Sequence, residues 1–406
     1  MSSKGRRHDA RPRVLFLGTA TSLAPAGKTP PHGSGAHVAA TLAGLREHCE
    51  VMPFVPQPTT VRPAGRQAAA RLVPARVRGL RHDVRVLLAS RRFGDAAAEA
   101  ARAFDPQLVY ERSEYFSIAG LRAAATLGIP LVLEVNGILP KDARTMYRSL
   151  AEPLGVALER RKHRSAAAIV TVSPGLGRRL VALGARPETV VVVPNTVAPD
   201  RVARMPRPVT AESAVIGWIG HIMSWHADAL EFLIEVAPAV LSAVPHARFV
   251  IIGTGPRLGA LEEKVMASGL SPAVRFTGEV AFDDVPRALH EIDVGVIPDV
   301  FDYAFPVKLV EFGAAGIPVV APRSDSLDEQ VRAGVEYAPF VRGDPDSLVE
   351  TLVGLALDGE RRAVLGSGLL AAVRDRFTWT ASGDALATIV GQALAGGDHS
   401  RTDNPR

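Results

Sequence analysis

Short apolar runs alternate with stretches of helical spacing along nearly all of this 406-residue chain, and the alternation breaks once before it resumes. RVLFLG at 13–18 reads as a strand, GAHVAATLAGLREH at 35–48 as a helix, and CEVMPF at 49–54 as the next strand. The pattern continues with a helix near 94–104, strand QLVYE at 107–111, a helix over 115–127 and strand PLVLEV at 130–135. A long helix near 142–164, strand AAIVTVS at 167–173, helix PGLGRRLVALG and strand TVVVVPN at 189–195 close the first half. Repetition of this kind predicts a parallel sheet covered by helices on both faces, because each parallel strand needs a crossover that returns over the sheet.

Prolines and mixed charge make 198–213 a linker. Beyond it the grammar restarts, with strands expected at 214–219, 248–252, 273–277, 293–297, 317–321 and 335–338. Two Rossmann-like α/β domains follow, 13–197 and 214–376, with a further amphipathic helix over 377–394 and tails at 1–12 and 395–406. The length allows each domain its own core.

Apolar residues at 47% and charged residues at 22% describe a globular protein, and no apolar run approaches the roughly 20 residues that span a bilayer. The basic start leads into a strand rather than a secretory core, which predicts a cytoplasmic chain. The single cysteine, Cys49, excludes an internal disulfide and a cysteine-based metal cluster. A net charge of +5 is low for a nucleic-acid binder, but nine arginines fall between Arg62 and Arg92 against one acid, Asp83. That region reads either as a solvated helical face or as a peripheral contact for anionic lipid or an acidic acceptor.

Chemistry is concentrated in a few places. In FDYAFPVKLVEFGAAGIPVVAP (301–322) an otherwise apolar helix carries Lys308 and Glu311, three apart and on one side of a turn. Pro306 suits the first helical position. The preceding strand IDVGVIP puts this helix start where open α/β sheets bind ligands. KTPPHGSGAHV (28–38) opens the first helix, with Gly33 and Gly35 allowing close backbone approach and free N–H groups facing an anion. IIGTGP adds a second glycine turn at Gly253. In IGWIGHIMSWHADALEFL the strand ends at Gly220, and His221 and His226 follow, as phosphate contacts or as ordinary polar groups at a domain edge. DPD at 344–346 reads as a helix N-cap rather than a metal-binding DxD. No P-loop or nucleophile elbow is present.

Taken in order, these segments resemble the retaining glycosyltransferases of family 4, over residues 13 to 394. EFGAAGIPVVAP matches the second glutamate of the family's paired-glutamate motif, and YAFPVKLVE a subgroup with tyrosine in place of the first. The resemblance implies the GT-B fold, two Rossmann-like domains with parallel sheets facing a central cleft, and a last helix that crosses back to the first domain. It also implies a nucleoside-diphosphate sugar, UDP- or GDP-linked, as donor substrate, a hydroxyl acceptor on a saccharide or natural-product core, and no metal or other cofactor. Glu311 would bind the ribose, Lys308 the diphosphate or donor sugar, and the backbone of Leu309 and Val310 the phosphates. Tyr303 stands at the donor-sugar position, and His221 and His226 where many members place arginine and lysine for the diphosphate. Gly33, Gly35, Gly220 and Gly253 would line the donor site. Asn136, in EVNG, replaces a histidine of the catalytic cleft. A histidine of ordinary pKa at 226 would be partly charged at neutral pH. An inactive glycosyltransferase-like binding partner, a pseudo-glycosyltransferase and a sugar-nucleotide epimerase use the same fold and stay open as alternatives.

Overall fold

The computed structural model of the protein describes residues 11–18, 33–55, 75–137, 152–203 and 214–399. In the first half β1 (Arg13–Leu17), α1 (Gly33–His48), β2 (Glu50–Phe54), α2 (Ala75–Ala101) and β3 (Leu108–Arg112) follow in turn. After them come α3 (Ala119–Leu127), β4 (Leu131–Val135), α4 (Glu152–Ser165), β5 (Ala168–Thr171), α5 (Pro174–Ala182) and β6 (Val190–Val192). The strands form one parallel sheet in the order β2-β1-β3-β4-β5-β6. All five residues of β4 and four of five in β1 are buried, as strands covered on both faces must be.

The second half supplies β7 (Val215–Ile219), α6 (Ser224–Ala243), β8 (Arg248–Ile252), α7 (Leu258–Ala267), β9 (Val274–Gly278), α8 (Val285–Leu289) and β10 (Val294–Val296). It continues with α9 (Val307–Ala314), β11 (Val319–Pro322), α10 (Asp325–Asp328), β12 (Ala338–Phe340), α11 (Pro345–Leu357), α12 (Gly359–Arg376) and α13 (Trp379–His399). Its parallel sheet runs β12-β11-β10-β7-β8-β9.

The chain passes between the sheets twice, and the two passages are hydrogen-bonded to each other. Val197 N–H donates to Phe377 O (2.9 Å) and Trp379 N–H to Val197 O (3.1 Å). Helix α13 then lies on the first sheet, where Leu386, Ile389, Val390 and Ala393 share a core with Val14, Phe16, Leu42 and Tyr110. Its approach to α1 is close because two glycines face each other: a Cβ on Gly44 would stand 2.9 Å from Gly383 Cα. Backbone cannot give way as a side-chain tip can, so Gly44→Leu is expected to cost about 2 kcal/mol net of its better helix propensity. A urea denaturation midpoint equal to wild type would show that this packing is not needed.

Two elements differ from the sequence reading. The arginine-rich stretch is helical from Ala75, in line with the helical-face reading, and runs without a break into the helix expected near 94–104, which ends at Ala101. Arginine and alanine are good helix formers, and apolar positions recur there at helical spacing. In α2, Arg85, Arg91 and Arg92 are exposed beside exposed Val84 and Leu88, while residues 62–74 lie outside the described residues. Of the helix expected near 142–164, Glu152–Ser165 is described and is helical, while 138–151 lie outside the described residues. Helix α9 starts at Val307, and Pro306 precedes it in extended conformation (φ −74°, ψ 133°). Asp344 caps α11, its carboxylate accepting from the N–H groups of Asp346 (3.0 Å) and Ser347 (3.1 Å). Among the described residues no helix is long and apolar enough to cross a membrane.

Candidate active site

The strand order of the second sheet reverses between β7 and β10, and the crevice outside the carboxyl ends of those two strands is where such sheets bind ligands. The turn after β7 brings Gly220 and His221 there, and the segment after β10 leads into α9 with Lys308 and Glu311. Lys308 is half-buried, its ammonium 4.1 Å from the centre of the Trp218 ring. A Cβ on Gly220, whose φ is +154°, would meet that ring at 2.9 Å and the ammonium at 3.5 Å. Glycine is therefore required where the chain bends around the lysine. Burial pushes the Lys308 pKa down to about 7, against the opposing pull of Glu311, the only carboxylate among the described residues that acts on it. A cation resting on an aromatic face gains from the ring quadrupole, but less than an anionic partner would provide.

Glu311, half-buried one turn further along α9, has its pKa raised by burial, with Arg201 and Lys308 opposing the rise. Arg201 comes from the passage between the sheets. Its guanidinium lies 3.9 Å from the Phe282 ring centre and donates to Phe282 O at 2.6 Å. The same passage is fixed to α9, Ala203 N–H donating to Ala314 O at 2.8 Å. Nothing in the sequence marked Arg201, since a charge in a proline-rich linker reads as solvated.

His226, in the first turn of α6, donates its Nδ1–H to His221 O (2.5 Å) and sets its ring edge-on to Trp218. Burial, and then Lys308, lower its pKa to about 3. The expectation of a partly charged histidine at neutral pH is therefore corrected: His226 is neutral, because a cation beside it and the loss of water both oppose a second charge. The backbone carbonyl of His221 also accepts from Met223 N–H (2.9 Å), closing the turn.

The remaining predicted residues divide. Leu309 and Val310 bury their side chains, and Leu309 N–H donates to Pro306 O (3.1 Å), so that N–H closes the helix start instead of facing a phosphate. Gly253 (φ +132°) is a close-packing position, since a Cβ there would lie 1.9 Å from Gly220 O. Gly33 and Gly35 fall in the first turn of α1. Tyr303 is only 3% exposed and is held in the seam between domains. Phe301 stacks on one side of its ring (5.3 Å, 7°), the Arg179 guanidinium lies 4.9 Å from its centre, and Ser173 Oγ donates to its carbonyl. Arg179 also pairs with Asp302 (2.6 Å) and Arg178 with Glu329 (2.8 Å) across the seam. Asn136 stands one residue past β4 on the cleft side of the first sheet, its Nδ2 donating to Glu134 Oε1 at 2.7 Å. The structure thus gathers Gly220, His221, His226, Lys308 and Glu311 into one crevice, and sets Tyr303 and Asn136 along the seam beside it.

Residues 31–201 match the family model described as Glycosyltransferase Family 4, and residues 213–358 the one described as Glycosyl transferases group 1. The 2-deoxystreptamine glucosyltransferase of Streptomyces kanamyceticus is 27% identical over 68% of this chain and 73% of its own length. The 2-deoxystreptamine N-acetyl-D-glucosaminyltransferase of Streptomyces fradiae is 25% identical over 66% of each. Among solved structures, Anabaena Alr3699/HepE in complex with UDP and glucose superposes with a TM-score of 0.66 at 17% identity, covering 94% of this chain and 100% of that one. The likeness shows a shared fold, the two-domain GT-B arrangement.

Proposed function

The chain is a family 4 glycosyltransferase of the GT-B fold, and from that premise we propose that it transfers a hexose or amino-hexose from a UDP-sugar to a hydroxyl of an aminocyclitol, with retention at the anomeric carbon. The observation that carries the reading is Lys308, an ammonium parked on Trp218 at the switch point of the second sheet. There it would meet a diphosphate at the start of α9, and Glu311 would accept hydrogen bonds from the ribose hydroxyls. Two relatives that use 2-deoxystreptamine with different sugars support the acceptor class and leave the sugar to the donor pocket.

In this reading the anomeric C–O bond to the diphosphate breaks as a bond to the acceptor oxygen forms on the same face. The acceptor's proton passes to the departing phosphate oxygen, so no second carboxylate is needed. Lys308 stabilises the charge that grows on the leaving group, the kind of aimed charge whose removal costs roughly 10²–10³ in rate. Neutral His226 holds the turn after β7 by its bond to His221 O and contributes no charge. The proposed reaction assigns no step to a metal.

Thermal shift with UDP and GDP, followed by UDP release from UDP-glucose with 2-deoxystreptamine, tests this. UDP at a hundred times its Kd is expected to stabilise the fold by about 2.7 kcal/mol. A melting temperature unmoved by either nucleotide would defeat the reading. A second reading, a nucleotide-binding partner without transferase activity, is favoured by the commitment of Tyr303 to the seam. Nucleotide binding with no UDP release, with or without acceptor, would establish it instead.

A further inference from the structure

Four side chains converge on Glu134, which is 1% exposed at the end of β4. His37 Nε2 lies 2.8 Å and Asn136 Nδ2 2.7 Å from its Oε1, while the hydroxyls of Thr41 (3.1 Å) and Tyr110 (2.8 Å) donate to its Oε2. Each oxygen stands within reach of two donors, the Thr41 hydroxyl proton being shared with His37 O at the same 3.1 Å, and the set suits an ionised carboxylate. Burial pushes this carboxyl up, but His37, Arg112 and Tyr110 together hold it down to about 2. An ionised carboxylate only accepts. The Asn136 amide must therefore turn its NH₂ inward and its carbonyl oxygen away.

That oxygen, Asn136 Oδ1, is buried and has no hydrogen-bond partner among the described residues. It lies at the seam between the domains: the neighbouring Gly137 would place a Cβ 3.8 Å from Tyr303 Cε2 of the second domain. A buried acceptor left without a donor destabilises the fold unless a ligand or water supplies one. The three other groups on Glu134 come from α1 and β3, so its position is set by packed elements rather than by the segment that follows Asn136.

We propose that Glu134 is a positioning residue for glycosyl transfer, fixing Asn136 with its carbonyl oxygen toward the cleft, where it accepts a hydrogen bond from a hydroxyl or ammonium of the acceptor. The inference rests on the proposed transferase reading and adds a selectivity to it: the acceptor must present a hydrogen-bond donor at this point, as an aminocyclitol does.

The amide of Glu134→Gln brings an NH₂ that needs an acceptor, so Asn136 turns over and offers its own NH₂ to the cleft. In E134Q/N136D the pairing is exchanged: the new amide donates to the new carboxylate and to His37 Nε2, and an oxygen again faces the cleft. Measured as UDP release from UDP-glucose with 2-deoxystreptamine, kcat/KM is expected to fall about tenfold in E134Q, the worth of one hydrogen bond. UDP affinity should hold within twofold, and the double variant should recover most of the loss. Asn136→Ala, which leaves the Glu134 cluster intact, should show the same fall if E134Q proves unstable. Wild-type kcat/KM in E134Q or N136A, or a double variant no better than E134Q, overturns the assignment. The orientation is also read without substrate. The Asn136 side-chain NH₂ signals, identified by their absence in N136A, should exchange slowly with solvent in wild type and fast in E134Q. Fast exchange in wild type overturns the inference, whereas slow exchange in a protein that binds no UDP upholds the orientation and removes only the transferase reading.

Discussion

Glu311→Ala is expected to weaken UDP binding by about a hundredfold. The carboxylate sits on the first turns of α9 beside Lys308, with Arg201 opposing the rise in pKa that burial imposes. In the proposed site it accepts from two ribose hydroxyls. Hydrogen bonds to a charged group contribute about 1.5–3 kcal/mol each, and two at the low end give roughly 3 kcal/mol, near two decades in Kd. Isothermal titration with UDP and with 2′-deoxy-UDP separates this from general damage. Wild type should discriminate between the two nucleotides and E311A should not. An affinity within threefold of wild type would take Glu311 out of the nucleotide site.

Lys308→Met is expected to lower turnover by about 10²–10³, the usual cost of losing one charge aimed at a leaving group. The lysine also gives the site a pH signature whose sign can be worked out. Its pKa is lowered from 10.5 to about 7, so the unliganded protein carries a half-deprotonated amine near neutrality. A diphosphate binds the ammonium form, and binding takes up a proton. UDP affinity should therefore be flat below about pH 6 and fall by up to tenfold per pH unit above 7. Folding stability should move the other way, rising with pH above about 7, because there the unfolded chain holds a proton that the folded lysine has lost. Lys308→Arg, which cannot lose its charge in this range, should bind UDP with a flat profile. A wild-type affinity that is level from pH 6 to 8.5 would contradict the assignment. His226 has no part in that window, since its pKa of about 3 keeps it neutral throughout.

The two sheets and the helix bearing Lys308 and Glu311 were legible because their signals are local. Strand–helix alternation survives in any reading frame of a few residues, and two charges three apart in an apolar helix stand out. Strand order was not legible, because it depends on which edges meet in space. The cluster on Glu134 was hidden for the same reason: His37 and Thr41 are 97 and 93 residues away from it, and the resemblance that singled out Asn136 in EVNG says nothing of Glu134. The seam contacts of Tyr303 were not legible, because Arg179 and Ser173 belong to the other domain. The charge state of His226 was misjudged because the Trp218 wall and the Lys308 ammonium that set it are brought to it only by folding.

Helix α13 completes the core of the first sheet although it follows the whole second sheet in the chain. On the ribosome, the half that emerges first must wait, with Val14, Phe16 and Tyr110 covered only in part, by Val38, Leu42 and Leu45 of α1, until the half made later has been synthesised. The early intermediate is thus a half-covered sheet, exposed to self-association and to capture by chaperones.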